Sequence, residues 1–146
     1  MIVSLESLLS NEQAITVTAA STNYFDKGAT GTPALSTTAL IRDLGPGEPL
    51  PLECVVNETF TAAGAATLVV TLEMDDNTSF SSPTVMKTSK TWAVADLVAG
   101  THIFNDLYMP TDVTQRYFRL NYTVSTGPMT AGKITAGFSG GRQTNV

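Results

Sequence analysis

A chain of 146 residues is the size of one ordinary domain, long enough to bury a core without disulfide or metal staples. The net charge is −5 and the eight Lys or Arg residues are scattered, so the chain lacks the basic stripe that phosphate neutralisation requires, and direct nucleic-acid binding is not expected. Charged residues make up 14%, well below the usual quarter, and Thr, Ser and Asn carry the polarity, which favours sheet over helix.

In chain order, residues 1–11 come first. Leu5, Leu8 and Leu9 fall at helical spacing, which predicts a short helix or an extended arm. The opening hexapeptide has no basic n-region, and no apolar run approaches 18 residues, so neither a signal peptide nor a membrane span is predicted. Residues 14–20 alternate Ile15, Val17 and Ala19 against Thr16, Thr18 and Ala20, which reads as a strand. Residues 28–49 hold Gly28, Gly31, Pro33, Gly45, Pro46, Gly47 and Pro49 and read as a long loop, with one short ordered piece at residues 39–42.

Strand signals then return at 50–57, 66–74, 84–88, 91–95, 101–109, 116–125 and 133–138. Asp75-Asp76-Asn77-Thr78 and Thr126-Gly127-Pro128 supply turns. No helical pattern long enough for a parallel crossover separates these segments. The prediction is an all-β, antiparallel β-sandwich of about eight strands in one domain spanning 1–146, with a jelly roll favoured over an immunoglobulin-like sheet pair. Residues 139–146 form a polar, Gly-rich tail.

Motifs that carry chemistry are sparse. His102 is the sole histidine, and Gly-x-Ser-x-Gly is absent, so a hydrolase would have to build an unusual site around His102. Cys54 is the sole cysteine, which rules out an intramolecular disulfide and suits a reducing cytosol. From Asp75, the sixth and twelfth positions hold Phe80 and Met86 where a calcium loop needs Gly and Glu, so that stretch is a β-turn. Gly45-Pro46-Gly47 lacks the Lys-Ser/Thr of a phosphate loop. Glu48, Glu53 and Glu58 read as solvated carboxylates rather than a glycosidase pair. Trp92, Tyr117 and Phe118 are read as core or sheet-face residues. The competing reading makes them a sugar-stacking platform, as in an adhesive module of a tail fibre or baseplate. No enzyme activity, cofactor or metal is expected.

Several stretches together resemble one family. They are Ser10-Asn11-Glu12-Gln13-Ala14-Ile15-Thr16, Ala20-Ser21-Thr22-Asn23-Tyr24-Phe25-Asp26 and Leu44-Gly45-Pro46-Gly47-Glu48-Pro49-Leu50. Asp75-Asp76-Asn77 with Phe80-Ser81-Ser82-Pro83 follows, then Arg116-Tyr117-Phe118-Arg119-Leu120-Asn121-Tyr122 and Thr126-Gly127-Pro128-Met129-Thr130-Ala131-Gly132. In that order they resemble the capsid cement proteins of podoviruses similar to the tropism-switching Bordetella phage. The resemblance implies a jelly roll made in the bacterial cytoplasm and placed on the outer capsid surface of the virion. There it would bridge neighbouring major capsid protein subunits and pair with itself as a dimer. It brings no catalytic residues. The expected contacts with a neighbouring subunit are Ile2, Val3, Leu5, Leu8 and Leu9, too apolar for a solvated tail, and Arg142, the one charge in the C-terminal tail.

Overall fold

The computed structural model describes residues 3–40 and 49–140. Ten strands form among them: β1 (Val3–Ala14), β2 (Ala19–Ala20), β3 (Phe25–Asp26), β4 (Leu52–Ala62), β5 (Thr67–Asp75), β6 (Thr84–Thr88), β7 (Trp92–Ala93), β8 (His102–Asp106), β9 (Tyr117–Ser125) and β10 (Met129–Ser139). One 3-10 turn, Val94–Asp96, follows β7.

The alternation in the sequence decides which face of each strand turns inward. Leu68, Val70, Leu72 and Met74 of β5 lie opposite Val124, Tyr122, Leu120 and Phe118 of β9. The four β5 residues are buried, and of the β9 set only Val124 is partly exposed. Leu52, Cys54 and Val56 of β4 and Ile134, Ala136 and Phe138 of β10 supply the facing layer of one core. Each such large side chain contributes roughly 1.5–3 kcal/mol on burial.

Two antiparallel sheets result. One has the order β1-β10-β4-β8. The other has the order β2-β9-β5-β6, with β3 also on β9 and β7 also on β5. The pairs are nested: β1 with β10, β2 and β3 with β9, β4 with β8, β6 and β7 with β5. First pairs with last, and each inner partner pairs in turn, which is the rolled double Greek key of a jelly roll. Because β2 and β3 share one neighbour, as do β6 and β7, the ten strands occupy the eight expected positions.

Three segments settle or correct the sequence reading. Of the two forms open to the N-terminal segment, a short helix or an extended arm, residues 3–14 take the extended one, as an edge strand, because the β10 backbone offers hydrogen-bond partners that outweigh a short helix with no packing partner. Residues 15–18 are not a strand but the corner where the chain leaves one sheet for the other. Ile15 turns into the core there, its N–H donating to Gly132 O at 3.1 Å, while Val17 points to solvent. Residues 39 and 40 are irregular, and the rest of the piece expected at 39–42 lies outside the described residues.

Candidate contact surface

The register places the start of β1, the finish of β10 and three connections at one end of the sandwich. Val3 pairs with Ser139, and Leu52 pairs with both Phe138 and Asp106. On the second sheet, Asp26 and Asp75 both pair with Tyr117. The rings of Phe25 and Phe138, 5.2 Å apart, join the sheets at this end. Connections 27–51, 76–83 and 107–116 therefore leave from the same end as the start of β1 and the finish of β10.

Charge-assisted hydrogen bonds stitch these connections together. Arg116 Nε and Nη2 donate to the two Asp26 carboxylate oxygens, each at 2.7 Å. The Arg116 N–H donates to Asp76 Oδ1 at 3.0 Å. Lys27 Nζ donates to Val113 O and Thr114 O at 2.9 and 2.8 Å. The Arg116 fork holds the Asp26 carboxyl below the usual carboxylate range, and the Gly28 N–H adds to that effect. Asp26 in turn raises the Arg116 guanidinium. A cavity of about 400 Å³ lies between these connections, lined by Lys27, Thr30, Leu40, Asp76, Thr114 and Arg116 among others.

The 76–83 connection is folded back by side-chain turns. Asp75 Oδ1 accepts from the Asn77 N–H, Asn77 Oδ1 from the Ser79 N–H, and Asp75 Oδ2 from the Ser82 N–H. This holds Phe80 at φ 47°, a strained setting for a bulky residue. Its ring thereby covers Arg119, whose guanidinium lies 4.3 Å from the ring centroid and 3.0 Å from Glu73 Oε2. Tyr24 packs edge-on against Tyr117 at 5.5 Å. The acidic turn thus fixes an aromatic cover. Among the described residues no group of three or more His, Cys, Asp or Glu side chains is placed to hold a metal ion.

Exposed apolar side chains concentrate at the same end. Of nine exposed large hydrophobics among the described residues, Leu5, Tyr24, Leu35, Leu40, Leu107 and Tyr108 belong to it. Leu5 is 84% exposed for a local reason. Between the pairs Val3–Ser139 and Leu8–Gly137, β1 advances five residues while β10 advances two. The surplus loops outward, tied by a bond from Ser7 Oγ to Ser4 O at 3.2 Å.

The sequence-predicted contacts therefore divide. Leu5 points to solvent and Leu8 is half-buried. Leu9 is fully buried in the chain's own core, which removes it from any outward contact. Val3 lies in β1, its side chain outside the described part, while Ile2 and Arg142 lie wholly outside the described residues. Sequence reasoning missed the loop residues Leu35, Leu107 and Tyr108, because isolated apolar residues in connections carry no period.

The remaining candidates are dispersed. Trp92 pairs with Leu68 and Tyr117 with Asp75, seven residues along β5, or about 23 Å at ~3.3 Å per residue. Phe118 faces the core, and Lys90 Nζ sits 3.9 Å above the Trp92 ring. The three do not make one sugar platform. His102 is exposed at the start of β8, and Glu58 is paired with Lys133 at 2.9 Å. Glu53 is buried on β4, and Glu48 lies outside the described residues. No helix among the described residues is long and apolar enough to cross a membrane.

A family model described as Bbp16 matches residues 9–138. No curated protein matches the chain.

Proposed function

This chain belongs to the Bbp16 family, whose name points to a Bordetella phage, and we propose that it is a structural virion protein that cements the capsid. In this reading it binds the outer surface of a tailed-phage shell and clamps neighbouring major capsid protein subunits. It is not an enzyme and takes no cofactor.

The observation that carries the reading is the one-ended surface. A jelly roll whose own core is satisfied nevertheless gathers six exposed large hydrophobics, the start of β1, the finish of β10 and three connections at one end. Such clustering marks protein contact surfaces more than solvated ones. The Arg116–Asp26 ion pair and the bonds from Lys27 to two carbonyls fix the connections before binding, which lowers the ordering cost. Weak contacts of this kind become effective when many copies act on one closed lattice.

Mass spectrometry of purified virions tests the proposal. Near-stoichiometric presence with the major capsid protein is expected, and absence from the particle contradicts it. Self-pairing belongs to the same proposal, and sedimentation across a concentration series should show a dimer.

A further inference from the structure

We propose that the first residues of β1, Val3–Ser7, form a strap that swings off β10 about a hinge at Leu8 while the rest of β1 stays in place. The opening is a property of the free chain and stands apart from the cement reading. The two parts of β1 are held very differently. From Leu8 onward the strand is fixed from two sides. The Asn23 N–H donates to Leu9 O at 2.9 Å, and Asn23 Nδ2 donates to Leu8 O at 3.3 Å. Leu9 and Ser10 are fully buried, and Ser10 Oγ lies 2.8 Å from the Tyr122 hydroxyl. Gln13 Nε2 donates to Ala20 O at 2.8 Å, and Gln13 Oε1 accepts from the Thr22 N–H at 2.9 Å. These bonds tie this part of β1 to the second sheet as well as to β10.

Ahead of Leu8 the hold is slight. One register pair, Val3 with Ser139, joins this stretch to β10. Ser4, Leu5 and Glu6 are exposed, and the side-chain bonds of Ser4 and Ser7 stay within the stretch. Ordering a segment costs conformational entropy at every residue, and here a single backbone pair offsets that cost for the whole strap. The closed form also leaves a polar group unsatisfied. Ser139, the partner of Val3, is 3% exposed, and its Oγ is buried with no hydrogen-bond partner. An orphaned hydroxyl favours the state in which water reaches it. A weakly held segment beside a strongly held one opens locally, well below the free energy of global unfolding. Once open, the strap gives the contact end roughly 16 Å of added reach, at ~3.3 Å per extended residue.

Thiol labelling of the full chain carrying Ser139→Cys tests this. Cys54, fully buried in the core, is the internal reference for global unfolding. Alkylation at each site is followed by mass spectrometry of the peptides. In the native chain the introduced thiol should react at least about tenfold faster than Cys54 and at least about tenfold slower than in urea-unfolded chain. Removing residues 1–7 should bring it to the unfolded rate while Cys54 stays protected. Equal native rates at the two sites overturn the proposal, since the strap then leaves only when the whole domain unfolds. A native rate equal to the unfolded one also overturns it, since no closed strap then forms. So does a thiol that stays slow without residues 1–7, because something other than the strap then covers position 139. A Cys54 that reacts in the shortened chain places the strap in the core and overturns it as well.

Discussion

Gly132 lies directly beneath the ring of Phe60: a Cβ at Gly132 would stand 2.3 Å from Phe60 Cδ1. Gly132 also has φ +137°, where L side chains are strained. It sits in β10 at a shift of register, since Ala131 pairs with Thr61 but Lys133 with Glu58. Phe60, buried on β4, fills the space the missing side chain leaves. Gly132→Ala should therefore cost about 3 kcal/mol, combining strain and overpacking. That corresponds to a fall of roughly 6–12 °C in melting temperature. Adding Phe60→Leu should recover part of the loss, and simple additivity of the two changes would contradict the contact.

Leu5 and Leu9, four residues apart on one strand, should behave oppositely. Leu9→Ala opens the core and should cost about 2–5 kcal/mol in denaturant melts. Leu5→Asp should leave stability within about 0.5 kcal/mol, since its side chain stands in water. In shell binding, only Leu5→Asp should weaken a chain that remains fully folded. A large stability loss for Leu5→Asp would show that the outward loop packs on its own domain.

Alkaline pH should unfold the protein through its core. Burial pushes the Cys54 thiol and the Tyr122 phenol up from ordinary values of 9.0 and 10.0. Both groups are neutral when protonated, so the folded state holds its protons longer than the unfolded one. Their contribution is fully present below about pH 9 and is lost as pH rises above it. Tyr122→Phe breaks the 2.8 Å bond to Ser10 and should cost about 1–2 kcal/mol at neutral pH. Its melting temperature should nevertheless fall less steeply with alkali than that of wild type. Native Cys54 should also resist thiol reagents until the chain is unfolded.

Acid should loosen the stitched end first. The Asp26 carboxyl is depressed by Arg116, so its contribution is present above the ordinary value of 3.8 and is lost as pH falls through the lower folded value. The pair is largely exposed, so the global melt should shift little. Protection of residues 28–40 against hydrogen exchange, taken relative to the intrinsic rate at each pH, should instead fall at acid pH, and Asp26→Asn should show the same loss of protection at pH 7. Equal protection in Asp26→Asn and wild type would detach the pair from this connection.

The strands that could be read from sequence are those with one wet and one dry face. Residues 66–74 and 116–125 alternate because β5 and β9 lie side by side in one sheet, with apolar residues on the core face and half-buried, mostly polar ones such as Thr71 and Asn121 on the other. Residues 14–20 alternate equally well, yet 15–18 form a corner between β1 and β2, since pairing across space rather than period decides which extended segment joins a sheet. The strand at 3–14 hid behind helical spacing because its register shifts break the two-residue period. Asp75-Asp76-Asn77 was legible as a turn, but not the folding of Phe80 over Arg119, which rests on side-chain bonds across seven residues. The contact end was half legible. Leu5 stood out by apolarity, whereas Leu35 and Tyr108 stand out only once the topology gathers their loops.

As a cement, this chain should strengthen a shell that forms without it. Particles lacking it should be heated or osmotically shocked beside wild type, with purified chain added back to a third sample. The deficient particles should assemble, lose their DNA at lower temperature or milder shock, and recover when the chain is restored. Equal survival of deficient and wild-type particles would contradict a cementing role.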